Sequence, residues 1–158
     1  MHTYSARITW MRQQTEAFTD LKYSRRHDWV FDGGAIVPAS ASPLNVKPPF
    51  SSPEAVDPEE ALVAAASSCH MLFFLWLAAK RGFVIDEYID DAEGIMEKNA
   101  EGKVAITRIA LRPRVVFSGE KRPSEHEIEE LHEVSHQECF IANSLKTEIV
   151  VEPAAVTA

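Results

Sequence analysis

The sequence predicts an α+β fold in which a mainly antiparallel sheet surrounds one long, buried central helix. Three observations carry that expectation. Ala61 to Ala79 is a run of nineteen residues without a formal charge, bracketed by helix start and stop signals. The segments on either side alternate apolar and polar residues with the period of two that marks half-buried strands. A second, amphipathic helix is signalled near residue 124 and is followed by one last apolar strand, so strands and helices come in blocks. A chain of 158 residues can bury one real core, and a single domain over residues 1–158 is expected.

The central helix is expected over 57–82. Asp57 can cap its first free amides, Pro58 suits the first helical position, and Glu60 completes a capping-box pattern. Lys80 and Arg81 complement the negative end of the helix dipole, and Gly82 can adopt the left-handed terminating conformation. A helix apolar on all sides is a buried one, and in a chain this small full burial calls for a second subunit.

Before the helix, Tyr4, Ala6, Ile8 and Trp10 alternate with Ser5, Arg7 and Thr9 as a half-buried strand. Further strands are expected over Ala17–Tyr23 and Trp29–Phe31, the latter closed by Asp32-Gly33-Gly34. These N-terminal strands occupy residues 1–37. A connection over 38–56 follows; six of the nine prolines fall within residues 38–58, which makes it an irregular loop of the kind that often carries function. After the helix, residues 83–118 read as a long hairpin around Asn99-Ala100-Glu101-Gly102. Pro113 within it argues for an edge or a bulge. The second helix, 123–139, opens with the capping box Ser124 to Glu127 and carries Ile128, Leu131 and Val134 on one face. Phe140 to Ser144 forms a short turn or helix, and a C-terminal strand lies within 145–152.

Composition narrows function. The formal net charge is −8, and without Lys/Arg-rich clusters neither nucleic acid nor an anionic membrane is an expected partner. The uncharged run has the length of a membrane span, but its first half, Ala64-Ala65-Ala66-Ser67-Ser68-Cys69-His70, is small and partly polar, as suits close packing inside a protein. Residues 1–13 contain Arg7 and Arg12 and no apolar h-region, so a cytoplasmic location is expected. Two cysteines in such a chain point to thiol chemistry or packing rather than a disulfide framework.

Cys69 sits in the apolar middle of the central helix, too far from the N-terminus for the dipole to activate it. Activation would need a cation brought in by the fold, most economically an arginine, and a partly buried arginine would need a carboxylate such as Glu59 or Glu60. A competing set is His132, His136 and Cys139, spaced i, i+4 and i+7, which with Cys69 would offer zinc two thiolates and two imidazoles. His70 points roughly 100° away from Cys69 around the helix, so direct Cys–His activation is not expected. His136, one turn before Cys139, could tune that thiol.

Asp57-Pro58-Glu59-Glu60-Ala61-Leu62-Val63-Ala64-Ala65-Ala66-Ser67-Ser68-Cys69 resembles the N-P-E-[EQ]-L-x-x-A-x-x-x-x-C helix of the OsmC/Ohr family, the osmotically inducible and organic hydroperoxide resistance proteins. Cys139-Phe140-Ile141-Ala142-Asn143-Ser144-Leu145 resembles that family's second-cysteine segment, and the element order agrees along the chain. The resemblance implies an intertwined homodimer and a thiol peroxidase that acts on organic hydroperoxides without a cofactor. Cys69 would be the peroxidatic cysteine and Cys139 the resolving one. Glu59 would hold the catalytic arginine, for which Arg25 is favoured over Arg26, and a dithiol or low-molecular-weight thiol would be the reductant. Asp57 stands where the family often has asparagine and can still cap. Phe140 stands where it often has proline, which alters how Cys139 enters the next turn. Glu59 and Cys69 lie about 15 Å apart along the helix axis, from which we expect the two to meet at one site only as contributions of different chains. Met71, Phe73, Phe74, Trp76 and Phe140 are the candidates for an apolar surround that would favour an alkyl tail over hydrogen peroxide. The alternative keeps the fold without the chemistry, as a binder of small apolar ligands.

Overall fold

The computed structural model describes residues 1–153. They divide into two compact units, one of residues 1–61 and one running on from Leu62. Strands and helices are mixed as expected, with antiparallel pairing throughout except at one ladder.

The first unit holds a three-stranded antiparallel sheet of β1 (Ala6–Thr9), β2 (His27–Phe31) and β3 (Ile36–Ala39), in that order. Ile8 opposes Trp29, which opposes Val37. The β2–β3 turn passes through Gly34 at φ +87°, which glycine adopts without a Cβ penalty. Two expectations fail here. β1 is exposed along its length rather than half-buried, and Ala17–Tyr23 is not a strand. Phe18–Asp20 forms a 3₁₀ turn, Leu21 takes a left-handed conformation at φ 64°, and the Asp20 carboxylate accepts the Lys22 amide at 2.9 Å. The side chain that alternates correctly for a strand instead closes a local turn. Residues 40–57 carry no regular element, apart from a bridge of Ala39 to Val56 that pins the loop's end beside its start.

Helix α1 (Pro58–Lys80) starts in this unit. Its N-terminus is the expected capping box: the Glu60 amide donates to Asp57 Oδ1 at 2.8 Å, and the Asp57 amide donates to Glu60 Oε2 at 3.3 Å. Its other end is closed by Gly82 at φ +77°, whose amide, with that of Phe83, returns to the carbonyls of Ala79 and Ala78. By length and mean hydropathy, 1.8, α1 could cross a membrane. Its packing is one-sided, however. The buried residues are Ala66, His70, Phe74 and Ala78, a stripe at i, i+4, i+8 and i+12, while Leu72 and Trp76 are 60% and 52% exposed. Burial on all sides is therefore not achieved within one chain.

In the second unit the expected long hairpin is broken into two ladders. β4 (Val84–Asp90) pairs with β7 (Pro113–Ser118), and β5 (Glu93–Lys98) pairs with β6 (Val104–Leu111) across the Asn99–Gly102 turn. The break falls at Asp91-Ala92 on one side and Arg112-Pro113 on the other. Pro113, lacking an amide hydrogen, opens its strand opposite Asp90. α2 (Glu125–Glu138) follows, with both bonds of the Ser124–Glu127 capping box formed. α3 (Phe140–Ser144) and β8 (Glu148–Val151) complete the unit, and β8 lies parallel to β6, with Ile149 opposite Ile109. The core has two parts. Phe74 and Ala78 of α1 pack with Phe117, Ile128 and Leu131, while Ala66 packs with Ile109, Leu111 and Ile149.

Candidate functional site

The two cysteines, 70 residues apart in sequence, meet in the second unit. Cys69 lies at the middle of α1, next to His70 of the buried stripe, and is half-buried. Cys139 is the residue between α2 and α3 and is 1% exposed. Its backbone leaves the helical region at φ −63°, ψ 112°, so that it ends one helix and caps the next, its Sγ accepting the Ala142 amide at 3.4 Å. Phe140, where the resemblance has proline, thus does not block the turn. It opens α3 and sets its ring edge-on to Phe73, centroids 5.0 Å apart. Burial pushes the Cys139 thiol up to about 11; the neighbouring Cys69 thiol acts in the same direction, while the Ala142 amide partly opposes it. At neutral pH Cys139 is a protonated thiol held against Cys69, which is the more exposed of the pair.

Beside the thiols lies a polar contact that the α2 sequence pattern concealed. His70, 1% exposed, places Nε2 3.1 Å from Nδ1 of His132, itself 4% exposed. The rings are parallel within 5°, and the His132 ring stacks on Phe74 with centroids 4.3 Å apart. Burial lowers His70 to about 3, with His132 and His136 adding to the shift, and burial lowers His132 to about 4. Both are neutral at physiological pH. Nδ1 of His70 and Nδ1 of His136 are buried without a partner among the described residues. The signal that could have found this contact is the stripe itself, for His70 stands four residues after Ala66 and four before Phe74, and His132 lies between buried Leu131 and Ser135. Among the described residues no three His, Cys, Asp or Glu side chains are arranged to hold a metal ion, and Nδ1 of His132, a member of the expected zinc set, faces His70 instead.

The other candidates lie in the first unit. Arg25 donates from one guanidinium nitrogen to the carbonyls of Leu21 and Tyr23, at 2.8 and 2.5 Å, and lies 3.8 Å over the Tyr23 ring. No carboxylate among the described residues pairs with it, whereas Arg26, its rival, is exposed and ion-paired with Glu54. Glu59 accepts from Asn45 at 3.1 Å through Oε1, and its Oε2 is buried without a partner among the described residues. Within the chain, then, Glu59 and Arg25 are not brought together. Arg25 also lines an apolar cavity of about 470 Å³ with Ile8, Trp10, Phe18, Tyr23 and His27, a feature the strand misreading of 17–23 had hidden. Of the residues expected around the thiols, Phe74 is core, Phe73 meets Phe140, and Trp76 lies under the Lys80 ammonium at 4.3 Å.

A thiol pair shared between a long central helix and the end of a second helix, on this strand order, defines the class: the chain belongs to the OsmC-like protein family, whose profile matches residues 51–154. Among solved structures, it is similar to an OsmC-like protein of unknown function from Vibrio cholerae, with 52% identity over 98% of this chain and 100% of that one and a TM-score of 0.96. The same fold recurs in organic hydroperoxide resistance proteins. One from Elizabethkingia anophelis has 15% identity, covers 100% of this chain and 98% of its own, and has a TM-score of 0.70. OhrB of Bacillus subtilis has 15% identity, covers 96% and 98%, and has a TM-score of 0.66. No curated protein matches the sequence significantly.

Proposed function

We propose that the protein is a cysteine-based peroxidase that reduces organic hydroperoxides in the cytoplasm. The observation that carries the reading is the asymmetry of the thiol pair. Cys69 is reachable, and Cys139 is buried beside it and kept protonated. The Cys69 thiolate attacks the peroxide O–O bond, which breaks to release an alcohol, and the sulfur becomes a sulfenic acid. Cys139 then attacks that sulfur; its proton leaves with the displaced hydroxide as water, and a disulfide forms. A dithiol or low-molecular-weight thiol supplies the two electrons that reopen it.

The working form proposed is a homodimer. Leu72 and Trp76 on α1 are exposed apolar side chains on a helix whose opposite stripe is core. Among the described residues Glu59 has a buried oxygen without a partner and Arg25 has no carboxylate, and a second copy would supply each with the other. In this reading Glu59 and Cys69 of one site belong to different chains. With Arg25 supplied by the second copy, the apolar wall around it is proposed to favour an organic peroxide over hydrogen peroxide. The second reading, a binder of small apolar ligands, draws on that same cavity.

The test is intact mass and free-thiol count before and after one equivalent of cumene hydroperoxide. Loss of two thiols and two mass units, abolished in Cys69→Ser, is expected, and Cys139→Ser should hold the sulfenic acid for trapping. If both thiols survive the peroxide, the reading fails and the ligand-binding alternative takes its place.

A further inference from the structure

The His70–His132 contact has no explanation in stability. Two imidazoles have been withdrawn from water for a single mutual hydrogen bond, with Nδ1 of His70 left unpartnered among the described residues. Apolar side chains of the same volume would fill that space at no desolvation cost. What distinguishes the contact is its position. His70 follows Cys69 directly on α1. His132 lies on α2 seven residues, about two turns, before Cys139, the residue that ends that helix. Apart from the Arg81–Glu130 ion pair just past the C-terminal end of α1, it is the side-chain hydrogen bond among the described residues that joins α1 to α2. Phe74 backs the His132 ring on one side, so the ring's orientation is fixed by stacking as well as by the bond.

A disulfide is geometrically demanding: the sulfurs must come to about 2.05 Å with the Cα atoms about 5.5–6 Å apart. Helix separation at the level of the thiols therefore governs how readily the bond closes. We propose that His70 and His132 are positioning residues for disulfide closure, their hydrogen bond setting the spacing of α1 and α2 at which Cys139 reaches an oxidised Cys69. The assignment deepens the thiol-redox reading and rests on it for its biological setting. In the closing step the S–O bond of the Cys69 sulfenic acid breaks and the S–S bond forms. Each of the two sulfurs then stands at the disulfide level, and water carries off the Cys139 proton.

The experiment uses the full chain in a glutathione redox buffer. Oxidised glutathione takes the place of the peroxide, exchanging with the two thiols to give the disulfide and two reduced glutathiones. Closure is followed by alkylation and mass. His132→Phe keeps the ring stacked on Phe74 and removes the bond, while His132→Asn carries a polar amide close to the Nδ1 position. Expected is closure slowed about tenfold in His132→Phe, with the equilibrium displaced toward the dithiol by a similar factor, the size of one net hydrogen bond, and recovery to within about threefold in His132→Asn. If His132→Phe does not fold, His70→Leu and His70→Gln pose the same question from α1. Closure at the wild-type rate in the apolar variants, or equal slowing in apolar and amide variants, overturns the proposal. Cumene hydroperoxide run in parallel separates the two readings. Histidine-dependent closure in glutathione with thiols indifferent to peroxide leaves the positioning role standing and removes the peroxidase.

Discussion

The seam between α1 and α2 has two halves built on different terms. At one end Phe74 and Ala78 meet Leu131 and Ile128, all buried and all apolar. At the other, Cys69, His70, His132, Ser135 and Cys139 bring thiols, imidazoles and a hydroxyl into the same contact. The apolar half needs only shape and removal from water. The polar half must satisfy donors and acceptors, and does so in part: Ser135 turns its hydroxyl back to the Leu131 carbonyl at 2.6 Å, whereas His70 Nδ1 has no partner among the described residues. The first half accounts for why the helices pack; the second for where on them chemistry can occur. A polar cluster held where an apolar one would be more stable marks a site retained for something other than folding.

The largest effect expected to separate the halves is acid. His70 and His132 ionise in the native state at about 3 and about 4, below the ordinary value of 6.5 that an unfolded chain would show. The unfolded state therefore binds more protons, and native stability is fully present above pH 6.5 and falls as pH drops toward those lowered values. The slope approaches about 1.4 kcal/mol per pH unit for each histidine. Denaturant melts at pH 7 and pH 4.5 should show this loss, and His70→Leu with His132→Leu should flatten it. A pH response unchanged in the double variant would dissolve the distinction between the two halves.

Next in size is Phe74→Ala, which empties the centre of the apolar half and should cost about 3–5 kcal/mol at every pH. An effect confined to acid would mean that Phe74 serves mainly to support the His132 ring. Gly94→Ala tests the other side of α1. A methyl there would sit 2.6 Å from a Val63 methyl, so the variant should lose about 1–3 kcal/mol by overpacking without altering the acid response. Smallest is Ser67→Ala, which removes the 2.5 Å bond from the α1 hydroxyl to Asp90 but leaves that carboxylate the Arg112 amide at 2.6 Å. About 1 kcal/mol should be lost.

What could be read from the sequence follows the range of the interactions involved. The ends of α1 and the start of α2 are fixed by residues within four positions of one another, and Asp57, Glu60, Gly82, Ser124 and Glu127 behave as their local chemistry dictates. Ala17–Tyr23 has the alternation of a strand, but the turn-forming Asp20 prevails in the chain because its short carboxylate reaches the Lys22 amide. Residues 83–118 carry the alternation of one hairpin, and Pro113, which cannot donate to a ladder, marks where it divides into two. The thiol pair was reached through its resemblance to a known motif, since nothing local places residue 69 against residue 139. His132 was hidden because α2 is polar overall, and a histidine in such a helix is ordinarily a solvated one. Its burial depends on His70, 62 residues away.

The single parallel ladder has a consequence for how the chain assembles. β8 joins β6 with Arg108 opposite Glu148, so all of β7, α2 and α3 must be made before that register can form. Until then β6 presents an unpaired edge beside its β5 partner, and an unpaired edge is a template for another chain. Closing a loop of this length is entropically slower than zipping the β5–β6 hairpin. During synthesis, the β6 edge has no β8 to pair with in the interval between the emergence of Leu111 and that of Val151, and an open edge of this kind is aggregation-prone.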